Sequence, residues 1–340
     1  MFVFRILGQL FYFLNLKSMF GRLVFISKCI KREWYYFSRV INPKYSPACK
    51  LSLKCYFRYI KNKFFGNYLA TRVAPFVFSP QSDFELHILS QKGNLWMAVW
   101  SLNSFLFHSG LRPKIVIHSD GTIDKKSAKV LKEKFSGLEI ISREEADEYI
   151  FNRPDISEKV KKMRRTKNNL LLKLIDIPLL SQGKKTMIMG DDVLFYSRPQ
   201  EIIDFIEGKT SYAALVSENH GRCELGVNES YLSKHKLIER RTDFINSDLL
   251  LFDEGCVTPA AINEYFENSV KDENFYLLEM AGLSCVLAQS NFSFLPLDRY
   301  HIKGSITEKT VVKHFTSPRR QDLFAYGIDV SRESIRKNGK

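Results

Sequence analysis

The chain has 340 residues, 45% apolar and 26% charged, so it can bury a full core unaided and is not a disordered polymer. Its formal charge of +14 is uneven: residues 1–80 hold 14 Lys and Arg against one acid, Glu33, whereas residues 81–340 hold 37 bases and 36 acids. The six cysteines form no C-x-x-C pair and no Cys/His cluster at zinc-ligand spacing, which argues against a zinc module and suits a reducing compartment.

The basic block is also rich in aromatics, among them Phe2, Phe11, Tyr12, Phe20, Trp34 and Tyr35. Residues 1–16 are apolar apart from Arg5, Gln9 and Asn15, short of the roughly 18–20 apolar residues a spanning helix needs. They also lack the basic start and small-residue cleavage site of a signal peptide. A basic, aromatic, acid-poor segment suits the membrane interface, where rings lie at headgroup level and Lys and Arg meet anionic lipid. The expectation is a helical basic N-terminal region over residues 1–80 that touches an anionic membrane surface. That places the protein in the cytoplasm, peripheral on the inner face of the membrane. A helical arm packed on the main domain is the structural alternative. Nucleic acid is the weaker partner, because nothing here resembles a known binding module.

From residue 81 onward, apolar runs alternate with helix-length segments, which predicts an α/β domain over 81–330 with a largely parallel sheet. In chain order, strands are read at 84–90, 114–121, 138–141, 185–189, 211–216, 244–252 and 311–315. Helices are read at 95–109, stopped by Gly110, and at 124–135. A charged helical stretch covers 142–168, broken at Arg153-Pro154. Residues 168–180 read as one buried helix that contains Lys173 and stops near Pro178. Further helices open at Thr258-Pro259 and cover 275–288; residues 331–340 read as a basic tail.

The segment IMGDDVLFYSRP places Asp191 and Asp192 at the exit of the 185–189 strand. Open α/β sheets bind ligands outside the carboxyl ends of their strands. Adjacent carboxylates repel and are best tolerated in water or around a cation, and Mg²⁺ is commonly held by carboxylates together with substrate phosphates. On its own, Gly-Asp-Asp is equally good turn chemistry.

This segment resembles the D-x-D motif of nucleotide-sugar glycosyltransferases of the A-type fold, the group that includes glycogenin and the lipopolysaccharide galactosyltransferases. Four other segments fall in the family's order: HILSQKGNLWMAVWSLNSFLFHS, NNLLLKLIDIPLL, FINSDLLLF and VVKHFTSPRR. Together they cover about residues 84–326. The resemblance implies a Rossmann-like mixed, largely parallel sheet flanked by helices. It also implies transfer of a sugar from a nucleoside-diphosphate sugar, such as a UDP-sugar, to a carbohydrate or lipid-linked acceptor, with Mn²⁺ or Mg²⁺ as cofactor.

Residue by residue, the resemblance makes Asp192 the second motif acid and a metal ligand. His314 becomes the late histidine of the metal shell, and Arg320 stands where the family has a lysine on the diphosphate. Gly190 stands at the first acid position, so Asp191 is the substitute ligand or substrate contact. Asn246 and Ser247 match the sugar-contact segment, in which Asp248 replaces a glycine. Lys173 fits a cation near sugar or phosphate, and Asp120 a base or ribose contact. Glu279 and Asp248 are the candidate catalytic carboxylates. Stereochemistry stays open at this level. The departures at Gly190 and Asp248 keep a second reading alive, a non-catalytic binding or scaffold protein on the same fold.

Overall fold

In a computed structural model of the chain, residues 53–218, 224–240, 244–316 and 319–338 are described; residues 1–52, most of the basic N-terminal region, lie outside them. The strands are β1 (Gln81–Ser90), β2 (Pro113–Ser119), β3 (Glu139–Ile141), β4 (Lys185–Met189), β5 (Val193–Phe195), β6 (Ala214–Glu218), β7 (Ile245–Asp253), β8 (Phe292–Phe294), β9 (Tyr300–His301) and β10 (Val312–His314). Seven form one sheet in the order β3-β2-β1-β4-β7-β6-β8, and in it only β7 runs against its neighbours. This is the mixed, largely parallel sheet expected from the sequence. β5, β10 and β9 make a second, three-stranded sheet.

Alternation along the strands builds a core on each face. Met187 and Met189 of β4 join the core beneath helices Leu53–Thr71 and Leu95–Ser109, whereas Ile188 joins the one beneath helices Pro259–Asn268 and Leu278–Leu287. Helix Leu95–Ser109 is buried on nearly every side, as its apolar sequence requires. It ends at Gly110 with φ 69, a left-handed cap that glycine adopts without strain. Thr258 caps helix Pro259–Asn268 by accepting from the Ala261 N–H.

Strands β5, β8 and β9 and the helices Gln200–Ile206 and Glu229–Lys234 are absent from the sequence reading, and three further segments differ from it. Residues 168–180 are not one helix. The Asn168 side chain accepts from the Leu170 N–H and starts a 3-10 turn, Asn169–Lys173, and a separate short helix follows, Asp176–Leu180. Pro178 lies in the first turn of that helix, where no backbone donor is needed. Residues 331–338 are not a tail: they continue helix Ile328–Asn338, which buries Ile328 and Ser331. Helix Leu53–Thr71 belongs to the main body although it precedes the composition shift. It buries Tyr59 and Ala70, Asn62 donates to the Phe324 carbonyl at 2.8 Å, and Lys61 pairs with Asp329 at 3.0 Å. Among the described residues no helix is long and apolar enough to cross a membrane.

The sheet order fixes where a ligand can sit. The chain steps outward from β1 to β2 and β3, then returns to the other side of β1 for β4. The carboxyl ends of β1 and β4 therefore flank a topological switch point, where the covering segments diverge and leave a crevice.

Candidate active site

At that switch point lies a cleft of about 530 Å³. Asp191 and Asp192 enter it directly after β4 and turn to opposite sides. Asp191 Oδ2 accepts a hydrogen bond from Ser90 Oγ, at the end of β1, at 3.2 Å. Asp192 Oδ2 accepts from Arg320 Nη2 at 2.6 Å and Nε at 3.1 Å.

The small sheet supplies the next cleft residue. β10 pairs with β5 so that His314 stands opposite Val193, and the Phe315 N–H donates to the Asp192 carbonyl at 2.9 Å. His314 Nε2 thereby lies 3.2 Å from Asp192 Oδ1 and 3.3 Å from Asp248 Oδ2.

Because β7 is antiparallel, its start reaches the end of the sheet where β4 finishes. Asn246 and Asp248 line the cleft, and Ser247 does not. The Asn246 oxygen accepts from the Asp248 N–H at 2.8 Å while its amide nitrogen reaches His314 Nδ1 at 3.0 Å, which fixes the ring with Nε2 toward the carboxylates. Lys173 Nζ donates to Asp248 Oδ1. Glu279 stands in the first turn of helix Leu278–Leu287, 1% exposed. Ser247 Oγ donates to its Oε1 at 3.3 Å, and its Oε2 has no hydrogen-bond partner.

The charges sort themselves by neighbourhood. Burial pushes the Glu279 carboxyl up to about 7 against the pull of Lys173. Burial and the charge of Asp192 push Asp191 up to about 7. Burial would raise Asp192 too, but His314 and Arg320 outweigh it and hold that carboxyl below its ordinary range. Lys173 and His314 are both raised: burial opposes their charge, and the carboxylates around them, Asp248 first, prevail. The cleft thus holds both anions and cations, with one buried carboxyl whose second oxygen is free.

Of the residues singled out from the sequence, Asp120, Lys173, Asp191, Asp192, Asn246, Asp248, Glu279, His314 and Arg320 all line this cleft, while Ser247 supports Glu279 from behind it. Ser90, Asn94, Tyr276 and Thr316 also line it and escaped the sequence reading. Ser90 carried a usable signal, its place at a strand's carboxyl end. Tyr276 carried none: it fell inside the helix read at 275–288, which the structure begins only at Leu278.

No protein-family model matches the sequence, and no curated protein matches it. Among solved structures, the bifunctional glycosyltransferase WbbM superposes with a TM-score of 0.51 at 12% identity, over 77% of this chain and 51% of that one. The fold is that of the A-type glycosyltransferases. The mannosyltransferase Ktr4p from S. cerevisiae gives a TM-score of 0.46 at 12% identity over 82% of this chain and 90% of its own. Mouse xyloside xylosyltransferase 1 gives 0.45 at 10% identity, over 70% and 99%.

Within this A-type fold the donor set can be tested against a metal. Asp192, Asp248 and His314 each offer a ligand atom, all within 4.8 Å of one another. Two carboxylates and an imidazole suit Mn²⁺ and, through the oxygens, Mg²⁺. The residues fit a divalent cation.

Proposed function

We propose that this protein is a glycosyltransferase that moves a sugar from a nucleoside-diphosphate sugar to an acceptor hydroxyl. The observation that carries the reading is the convergence of Asp192, His314, Lys173, Arg320 and Glu279 on one cleft at the switch point of an A-type sheet. Asp192 and His314, with a second carboxylate, would hold a divalent cation, which when bound offsets the charge of a diphosphate. Arg320 presents a planar guanidinium to the same phosphates, and Lys173 a point charge. Both stabilise the leaving group electrostatically as the bond to the sugar breaks.

Glu279 is the group placed to accept the acceptor's proton. A base is most useful with a pKa near the working pH, and burial puts this one at about 7. Used that way it gives inversion at the sugar carbon; attack on that carbon by the same carboxylate would give retention, and the anomer formed tells the two apart.

The acceptor enters from the rim formed by Leu170 and Tyr276, of which Tyr276 is 68% exposed and offers a ring face to a sugar. Residues 1–80, with 14 bases and one acid, would hold the enzyme at an anionic membrane, where a lipid-linked acceptor or growing polysaccharide is found.

Calorimetric titration of UDP and GDP, with and without Mn²⁺, tests the reading first. Metal-dependent binding of one nucleotide is the expected result. Failure of both to bind under either condition overturns the proposal. Binding without turnover of any donor sugar would instead make this a binding protein on the glycosyltransferase fold.

A further inference from the structure

Gly190 departs from the D-x-D pattern and Asp248 from the sugar-contact segment, and the structure brings the two departures into contact. The Gly190 N–H donates to the Asp248 carbonyl at 2.8 Å, one step beyond the Met189–Leu249 pair of the β4–β7 ladder. A Cβ added at Gly190 would lie 2.7 Å from Asp248 Oδ1 and 2.9 Å from Asp248 Cβ. Those separations are too short for real atoms, and the obstacle is a side chain rooted on the adjacent strand. Gly190 is not among the glycines with positive φ, so its backbone does not demand glycine. Space demands it. A side chain at 190 and the carboxylate of Asp248 are alternative occupants of one volume.

We infer that the first carboxylate of the metal site has moved across the β4–β7 ladder, from position 190 to Asp248, and that Gly190 makes the room that admits it. This rests on the glycosyltransferase reading and specifies its metal ligands as Asp192, Asp248 and His314. Asp191, the sequence neighbour that would otherwise substitute, turns away to Ser90 and is not one of the three clustered donors. The second Asp248 oxygen faces His314 Nε2 at 3.3 Å, and the first is held by Lys173. Asp248 would therefore offer Oδ2 to a divalent ion while Lys173 stays paired with Oδ1. Two departures that look like decay in the sequence are one exchange in space.

Mn²⁺ binding to the full chain, read from the loss of the free-ion electron paramagnetic resonance signal with and without UDP or GDP, tests this directly. Asp248→Asn is expected to weaken Mn²⁺ by about tenfold or more, since a charged ligand is lost, while Asp191→Asn changes it by less than about threefold. Gly190→Asp alone crowds two carboxylates into one volume and is expected to lose stability. The double variant Gly190→Asp with Asp248→Gly returns the acid to the first motif position and is expected to recover both stability and Mn²⁺ binding. Mn²⁺ bound normally by Asp248→Asn but lost in Asp191→Asn would overturn the exchange and leave the glycosyltransferase reading standing. No Mn²⁺ binding by the unaltered chain, with or without nucleotide, would overturn the exchange and the metal-dependent reading together.

Discussion

Glu279 shows how much one buried side chain can decide. Its carboxyl is 1% exposed, with one oxygen held by Ser247 and the other without a partner. An unsatisfied buried acceptor costs about 1–3 kcal/mol, and this one belongs to a residue that lines the cleft, where a ligand can complete it. Glu279→Gln keeps the shape and removes the carboxylate that the proposed function uses as base. We expect transfer to fall about 10²–10⁴-fold while nucleotide affinity stays close to its starting value. The pH dependence follows from the raised pKa of about 7. Below it the carboxyl is protonated and cannot accept a proton, so the rate rises as pH increases through the neutral range. A cation in the cleft favours the anion and moves that limb lower. A rate profile flat from pH 5 to 8 in the unaltered protein, or full activity in the Glu279→Gln variant, would remove Glu279 from this role.

At the scale of elements, glycine permits two close approaches, one of them beside the site. Helix Leu278–Leu287 carries Glu279 and lies against the turn that carries Lys173. They meet at Gly282, where an added Cβ would collide with Leu174 and come within 2.8 Å of Tyr265. Gly282→Ala should destabilise the fold by about 1–3 kcal/mol through overpacking and separate Glu279 from Lys173. Thermal unfolding and the activity of the purified variant check both parts. Gly66 does the same for helix Leu53–Thr71, since a Cβ there would lie 2.7 Å from the Trp96 ring. Neither contact was legible in the sequence. Periodicity and punctuation revealed the longer strands and several helices, because each is a local property: Gly110 ends one helix and Thr258-Pro259 opens another. The short strands β5, β8 and β9 escaped it, since two or three residues carry no period. Strand ends then pointed to Asp120 and to Asp191 and Asp192. What local pattern cannot carry is a pair that depends on register. Asp248 became intelligible only once β4–β7 pairing set it beside Gly190, and the alternation of β7 explains why Ser247 lies behind the cleft that Asn246 and Asp248 line. The turn at 169–173 was misread for a related reason: an asparagine side chain competing for a backbone N–H overrode a good helical pattern.

Across the whole molecule the charge is divided into a balanced body and a basic N-terminal block. Residues 1–52 carry nine of the 14 bases of that block and its only acid, Glu33, while helix Leu53–Thr71 is anchored to the body through Tyr59, Asn62 and Lys61. A truncation that tests membrane contact must therefore stop at residue 52; one that removed the helix would expose Trp96 and Phe324, which pack beneath it. Each Lys or Arg near an anionic surface contributes roughly 1 kcal/mol, so eight net charges are ample for binding if the segment lies flat on the bilayer. The full chain should co-sediment with vesicles that contain phosphatidylserine and not with vesicles of phosphatidylcholine alone. Raising the ionic strength from about 0.1 to about 1 M shortens the screening length from roughly 10 to 3 Å and should release it. The chain lacking residues 1–52 should remain in the supernatant and still bind its nucleoside diphosphate, because every cleft residue lies beyond the deletion. If that shortened chain sediments as well as the full one, the attraction belongs to the body of the protein, and the first candidates become Phe65 and Tyr68, exposed on helix Leu53–Thr71 beside Arg72.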